Sequence, residues 1–214
     1  LNFTLLVVDD HHMIVDWYIQ VLRKEFEAFT LLRATSIQEA KDQVEQITRL
    51  DLIVVDYNLG KGEIGGEDKD GVDLVLFIKK KFPDVNTVLV TGHEGVLVLY
   101  DIHKKIVPQG LLLKTDVTEI VLKNAIHQIL RGERFYSFRA NEALKEIYKK
   151  EALLQEQNIQ ILLLLDKGFR IKEISEALFL SESAVNKRIA GLKQTFDVLD
   201  NGGLIKKVKE EGFI

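Results

Sequence analysis

Cysteine is absent from this 214-residue chain, which excludes disulfides and thiolate metal sites. That composition fits a reducing cytoplasm, the expected location. Long apolar runs are also missing. Nothing approaches the about 18–20 uncharged apolar residues of a membrane span. The longest candidate, Ile159 to Leu165, is interrupted by Gln160 and closed by Asp166. No cleavable signal pattern opens the chain, because its first apolar run leads straight into Asp9-Asp10. Nor is there an excess of positive charge. The formal net charge is −4, and residues 151–214 carry 9 Lys/Arg against 10 Asp/Glu. Any nucleic-acid contact must therefore come from a local cluster, not from a generally basic domain.

What is present is an alternation of apolar runs and helical patterns over the first 130 residues. Strands are predicted at about 3–8, 28–33, 51–55, 86–90 and 110–113, and helices at about 13–26, 36–49, 71–82, 95–105 and 116–131. Ile14, Trp17, Tyr18, Val21 and Leu22 recur at the spacing of one buried helical face. Ser36 and Asp116 are candidate N-caps of the second and fifth helices. Five strand–helix units in succession predict an α/β domain with a doubly wound five-stranded parallel sheet. The central runs are apolar throughout, as strands covered on both faces must be.

The exits of those strands carry the chemistry. Asp9 and Asp10 follow Leu5-Leu6-Val7-Val8, Asp56 follows Leu52-Ile53-Val54-Val55, Thr91 follows Val88-Leu89-Val90, and Lys114 follows Leu111-Leu112-Leu113. In an open parallel sheet the carboxyl ends of the strands line one crevice where ligands bind. Carboxylates gathered there repel one another unless a cation sits among them. Asp9, Asp10 and Asp56 are hard oxygen donors that suit Mg²⁺, with a backbone carbonyl most naturally supplied by Asn58. Lys114 would offset charge on a transferring phosphoryl group, and the Thr91 hydroxyl could donate to one of its oxygens. Any single acid at a strand exit is more often a helix cap. Four such positions on four strands of one pattern point instead to Mg²⁺-dependent phosphoryl transfer onto a carboxylate. His11 and His12 adjoin the acids, but neutral imidazole matches Mg²⁺ poorly, so neither is read as a ligand. His93, His103 and His127 form no ligand spacing.

The runs Val7-Val8-Asp9-Asp10-His11, Val54-Val55-Asp56, Val90-Thr91-Gly92 and Leu112-Leu113-Lys114 resemble the motifs of response-regulator receiver domains. The resemblance covers residues 1–130. It implies a flavodoxin-like fold in which Asp56 is the phosphoacceptor, Asp9, Asp10, Asp56 and the Asn58 carbonyl hold Mg²⁺, and Thr91 and Lys114 bind the phosphoryl group. It further implies a sensor histidine kinase as donor and no enzyme activity beyond self-phosphorylation and self-dephosphorylation. An aspartyl phosphatase on a similar sheet needs a second acid two residues past its nucleophile, a test that Asp56-Tyr57-Asn58 and Asp10-His11-His12 both fail. Two departures stand out. The segment 57–70 is long, rich in glycine and without proline, so that Asp70-Gly71 arrives late; it is expected to be a mobile loop over the crevice. Three residues before Lys114, where the family usually has an aromatic switch, stands Leu111.

Residues 131–150 read as a linker, partly helical, with Leu144, Ile147 and Tyr148 at helical spacing. Residues 151–214 show no strand pattern and read as four short helices. The first ends at Gly168, the second spans Ile171 to Leu178, and Ser181 caps the third, which runs to about Thr195. Asn201-Gly202-Gly203 is expected to break the chain before the fourth. Ile174, Ala177, Leu178, Leu180, Val185, Ile189 and Leu192 supply apolar contacts, while Ser183, Asn186, Lys187 and Gly191 can face outward. Polar residues at the start of a second helix suit a major-groove reader. Lys187 and Arg188 could take phosphates or a guanine edge, and Asn186 an adenine. By charge alone a helical module that binds protein is an equal reading. The run Phe179-Leu180-Ser181-Glu182-Ser183, followed by Val185, resembles the helix-turn-helix of the LuxR/NarL class, as do Gly168 and Lys172-Glu173-Ile174. That resemblance implies a two-domain NarL/FixJ-type response regulator that binds double-stranded promoter DNA, as a homodimer when phosphorylated. The alternative is a receiver-bearing adaptor whose tail binds protein.

Overall fold

In the computed structural model, residues 3–60, 70–148 and 155–214 are described, 147 and 148 by backbone alone. The long segment after Asp56, expected to be mobile, lies largely outside the described residues. The chain divides into two compact units, Leu1–Gly92 with Lys105–Ala140, and His93–Lys104 with Asn141–Ile214.

The first unit is built on a wholly parallel sheet of strands β1 (Thr4–Val8), β2 (Thr30–Ala34), β3 (Leu52–Asp56), β4 (Asn86–Thr91), β5 (Gly110–Leu113) and β6 (Phe135–Tyr136). Their order is β2-β1-β3-β4-β5-β6. The sheet thus has six strands, not five. The added β6 comes from the predicted linker and pairs Gly110 with Phe135 and Leu111 with Tyr136. Ser137 completes the attachment: its N–H donates to the Leu111 carbonyl at 3.0 Å and its Oγ accepts from the Leu113 N–H at 3.2 Å.

Helices α1 (His12–Glu25), α2 (Ile37–Gln46), α3 (Gly71–Lys81) and α5 (Glu119–Leu130) wind around this sheet, while α4 (Val96–Ile106) follows β4. Strand side chains alternate between faces. Leu5, Val7, Leu52, Val54, Val88, Val90 and Leu112 form one core with Val15, Tyr18, Val21 and Leu22 of α1 and Leu122, Ala125, Ile126 and Ile129 of α5. The alternate set, Leu6, Val8, Ile53, Val55 and Leu89, is buried as completely. Each such side chain contributes about 1.5–3 kcal/mol on burial, which fixes strand register, since a one-residue slip would expose the whole set.

Local signals place the helix starts. Ser36 caps α2, accepting from the Glu39 N–H at 3.1 Å. Asp70 caps α3 by accepting from Val72 and Asp73, and Asp73 accepts in return from the Asp70 N–H. The fifth helix is capped by Thr118, not Asp116, because Lys114–Asp116 forms a 3₁₀ turn first.

In the second unit, α6 (Phe138–Tyr148, shared with the first) is followed by α7 (Glu156–Asp166), α8 (Ile171–Ala177), α9 (Glu182–Thr195) and α10 (Asn201–Glu210). Ile159, Leu162, Ile174, Val185, Ile189, Leu192, Leu204 and Val208 are buried there. Ala177, expected among the apolar contacts, is exposed. Asn201-Gly202-Gly203 is no break: it forms the first turn of α10, with Asp200 accepting from the Gly203 N–H at 2.7 Å. His93–Lys104 joins this unit because the N–H groups of Val96 and Leu97 donate to the carbonyls of Gly212 and Phe213.

Candidate functional site

Asp9 and Asp56 leave β1 and β3 on neighbouring strands and are almost wholly buried, at 0% and 2% exposure. Asp10, one residue on, is exposed, as its place in the turn before α1 requires. Lys114 reaches back from the end of β5. Its Nζ lies 2.8 Å from Asp56 Oδ2 and 3.4 Å from Asp9 Oδ2. Thr91, the last residue of β4, is fully buried in register with Leu113. The structure therefore draws Asp9, Asp56 and Lys114 together and sets Thr91 and Asp10 at adjoining strand ends. Asn58 is exposed, two residues past Asp56.

The two oxygens of Asp56 are unlike. Oδ2 is held by Lys114, whereas Oδ1 is buried without a hydrogen-bond partner. Burial raises the pKa of this carboxyl above its ordinary value. Lys114 pulls it down, and the charges of Asp9 and Asp10 push it up again. For Lys114 burial disfavours the charge, but the carboxylates of Asp56 and Asp9 outweigh it and raise its pKa. Beneath the acids the buried phenol of Tyr18 is pushed upward, first by burial and then by Asp9 and Asp56. A buried acceptor left unpaired is costly. Here it marks a position that a cation or an incoming electrophile could fill. The donor set is hard oxygen, which suits a divalent cation such as Mg²⁺.

His11 sits closer to this centre than sequence reasoning placed it. Its Nδ1 is 2.6 Å from Asp10 Oδ1 and 3.3 Å from Asp9 Oδ1, and its backbone N–H donates to Asp9 Oδ1 at 2.9 Å. The charges of Asp10 and then Asp9 raise the imidazole pKa. The three side chains could together offer one ligand atom each to a metal. The approach of α3 to the site depends on Gly71. A Cβ there would lie 2.2 Å from the Asp56 carbonyl oxygen, and the Gly71 N–H donates to the Tyr57 carbonyl at 2.8 Å. Leu111 is fully buried, and its register partner Tyr136 donates its hydroxyl to the Pro108 carbonyl.

In the second unit, Ser183, Asn186 and Lys187 are exposed on α9. Arg188 is not part of that outward face. Its Nη1 donates to Gln155 Oε1 at 2.8 Å and Asn158 Oδ1 at 3.2 Å, tying α9 to the start of α7. The signal was in the spacing: Arg188 falls between the core positions Val185, Ile189 and Leu192, on the inward side of the helix.

In its doubly wound parallel sheet with acids and a lysine at the carboxyl edge, followed by a small helical unit, the chain is similar in architecture to two-component response regulators. Over nearly its whole length the chain is similar to such proteins. It is 24% identical over 204 residues to the response regulator protein VraR of Staphylococcus aureus (strain Mu3), covering 94% of this chain and 93% of that protein. Among solved structures, two RcsB dimers bound to two parallel DNAs match with a TM-score of 0.67 at 18% identity, covering 98% of each chain. RcsB from Salmonella enterica serovar Typhimurium, bound to promoter rprA with the phosphomimetic BeF₃⁻, matches with a TM-score of 0.65 at 19% identity, covering 98% of this chain and all of that one. No protein-family model matches the chain.

Proposed function

We propose that this chain is a response regulator that accepts a phosphoryl group on Asp56 and controls transcription through DNA binding by α8 and α9. The observation that carries the reading is the asymmetry of Asp56, with Oδ2 fixed by Lys114 and Oδ1 buried and unpartnered. Oδ1 is the nucleophile. It forms the new P–O bond as the P–N bond of a phosphohistidine on a sensor histidine kinase breaks and the imidazole leaves. Lys114 meets the negative charge gathered on the phosphoryl oxygens, and the Thr91 hydroxyl donates to one of them. Asp9, Asp10, Asp56 and the Asn58 carbonyl would hold Mg²⁺, which would supply positive charge to offset that of the phosphoryl oxygens. Water later cleaves the acyl phosphate and restores Asp56, so the chain is a phosphoacceptor whose own chemistry is limited to self-phosphorylation and self-dephosphorylation.

Phosphorylation then shifts a two-state equilibrium toward the form that pairs and binds. RcsB binds DNA as dimers, and a homodimer of this chain on paired half-sites is the active form. Ser183, Asn186 and Lys187 face the groove, while Arg188 holds the reading helix in place. A cytoplasmic location follows from this role. No helix among the described residues is long and apolar enough to cross a membrane.

The test is mass spectrometry after acetyl phosphate with Mg²⁺, beside Asp56→Asn. One added phosphoryl group, localised to Asp56 and absent from the variant, is expected. A phosphate elsewhere, or an unchanged mass in both proteins, overturns the reading. A gel shift on genomic fragments separates the DNA-binding reading from a protein-binding adaptor, which would retard no duplex in a salt-dependent way.

A further inference from the structure

Five helices among the described residues end in the same motif. In each, the first residue past the C-cap is left-handed and donates to the carbonyl three residues back, while the next donates five residues back. The left-handed positions are Gly132 after α5 (φ 84°), Gly168 after α7 (85°), Phe179 after α8 (54°), Asp197 after α9 (52°) and Gly212 after α10 (74°). The paired bonds match throughout. Gly168 donates to Leu165 and Phe169 to Leu164, at 3.0 and 3.1 Å, while Phe179 donates to Glu176 and Leu180 to Ser175, at 3.3 and 2.9 Å. Glycine adopts this conformation without a Cβ clash, and aspartate is among the residues that tolerate it. Phenylalanine is not.

Packing does not explain the exception. The Phe179 side chain is 96% exposed. The residue thus bears the strain of a left-handed backbone and the cost of an apolar ring in water; the two capping hydrogen bonds need only the backbone, and the ring itself is not buried against the described residues. Strained residues of this kind cluster where a molecule meets its partner.

The position identifies the partner. Phe179 stands two residues before Ser181, the N-cap of α9, whose Oγ accepts from the Ala184 N–H at 3.1 Å. In a helix-turn-helix the N-terminal residues of the second helix meet base edges, so the turn just before them lies at the mouth of the groove. We infer that Phe179 contacts DNA: its ring packs on an apolar edge of the duplex, a thymine methyl or a deoxyribose, beside the bases that α9 addresses. The inference rests on the reading of α8 and α9 as the DNA-binding motif and adds a residue to it. Leu199, equally exposed but beyond the far end of α9, serves as the internal control.

The experiment uses the full chain, treated with acetyl phosphate and Mg²⁺, and a duplex that the wild-type chain enriches from a random pool. Phe179→Gly is expected to raise the thermal midpoint, because the strain is removed, and to weaken binding to that duplex by about 5- to 100-fold. Binding to an unenriched duplex and the behaviour of Leu199→Ala should stay at wild-type level. Deoxyuridine in place of thymine removes the methyl. A loss in the wild type that Phe179→Gly does not deepen assigns the contact to thymine, and unchanged binding in the wild type assigns it to deoxyribose. A Phe179→Gly protein that binds the enriched duplex as the wild type does overturns the inference. If transcription by purified RNA polymerase then falls, the ring meets a protein instead. A wild-type chain that enriches no duplex overturns the inference and the DNA-binding reading together.

Discussion

The two working surfaces of this molecule are built in opposite ways. The acid site gathers residues far apart in sequence, Asp9, Asp56 and Lys114, and holds both carboxylates within 3.4 Å of the Lys114 ammonium at the rim of a sheet. The face of α9 is a run of neighbours, Ser183 to Lys187, on a single helix and open to solvent. A site of the first kind has its geometry set by strand register and can be deranged from outside it. A site of the second kind keeps its shape whatever is done to its exposed residues, and only their chemistry changes.

The sharpest way to break that contrast is Gly71→Ala. The added methyl would fall 2.2 Å from the Asp56 carbonyl oxygen, so the start of α3 or the end of β3 has to move. The expected outcome is a loss of about 1–3 kcal/mol in urea unfolding. Phosphoryl uptake from acetyl phosphate should slow by about 10- to 100-fold, although Gly71 touches no reacting atom. An equally fast variant would show that register does not control the site.

Lys187 and Arg188 sharpen the contrast within α9. Arg188→Ala removes the bonds to Gln155 and Asn158 and should lower stability by about 0.5–1.5 kcal/mol. Lys187→Ala should leave the melting temperature unchanged and reduce the salt slope of DNA binding by about one. If the two adjacent cations behaved alike in both assays, the inward placement of Arg188 would be wrong.

The smallest effect concerns Asp56. Its pKa is raised in the fold, chiefly by burial, so the native state holds its proton more tightly than the unfolded chain does. The penalty for ionising it is absent below the ordinary carboxyl pKa and complete above the raised value. With a chelator present, Asp56→Asn should therefore be the more stable protein at neutral pH, with the advantage vanishing as the pH falls through the acid range. Mg²⁺ should stabilise the wild type and not the variant. Melting curves on the two proteins across pH check both statements.

The acid site was readable in the sequence because β1, β3, β4 and β5 each carry an apolar run that stops at a residue of the site. The sixth strand was not, since two residues carry no periodicity and Phe135-Tyr136 becomes a strand only where β5 offers an edge. Thr118 displaced Asp116 as a cap because a 3₁₀ turn, which leaves no clear sequence mark, intervenes. Gly202 and Gly203 read as a break by composition, yet Asp200 fastens the Gly203 N–H and the helix starts through them. The place of His11 against Asp10 depends on side-chain rotamers at a turn, which spacing does not encode. Arg188 is the exception, because its inward position was legible from the core residues around it.

The stitch from Ser137 to Leu111 and Leu113 has a mechanical consequence. Lys114 is the next residue along that rod, and α6 begins one residue past the stitch. Under the proposed function, a pull on the lysine by a bound phosphoryl group would be handed to the root of α6 as by a short rigid lever, with no swinging ring needed. The same stitch, with β6, covers the flank of β5, so strand addition there is blocked and the edges of the sheet are the outer sides of β2 and of the two-residue β6.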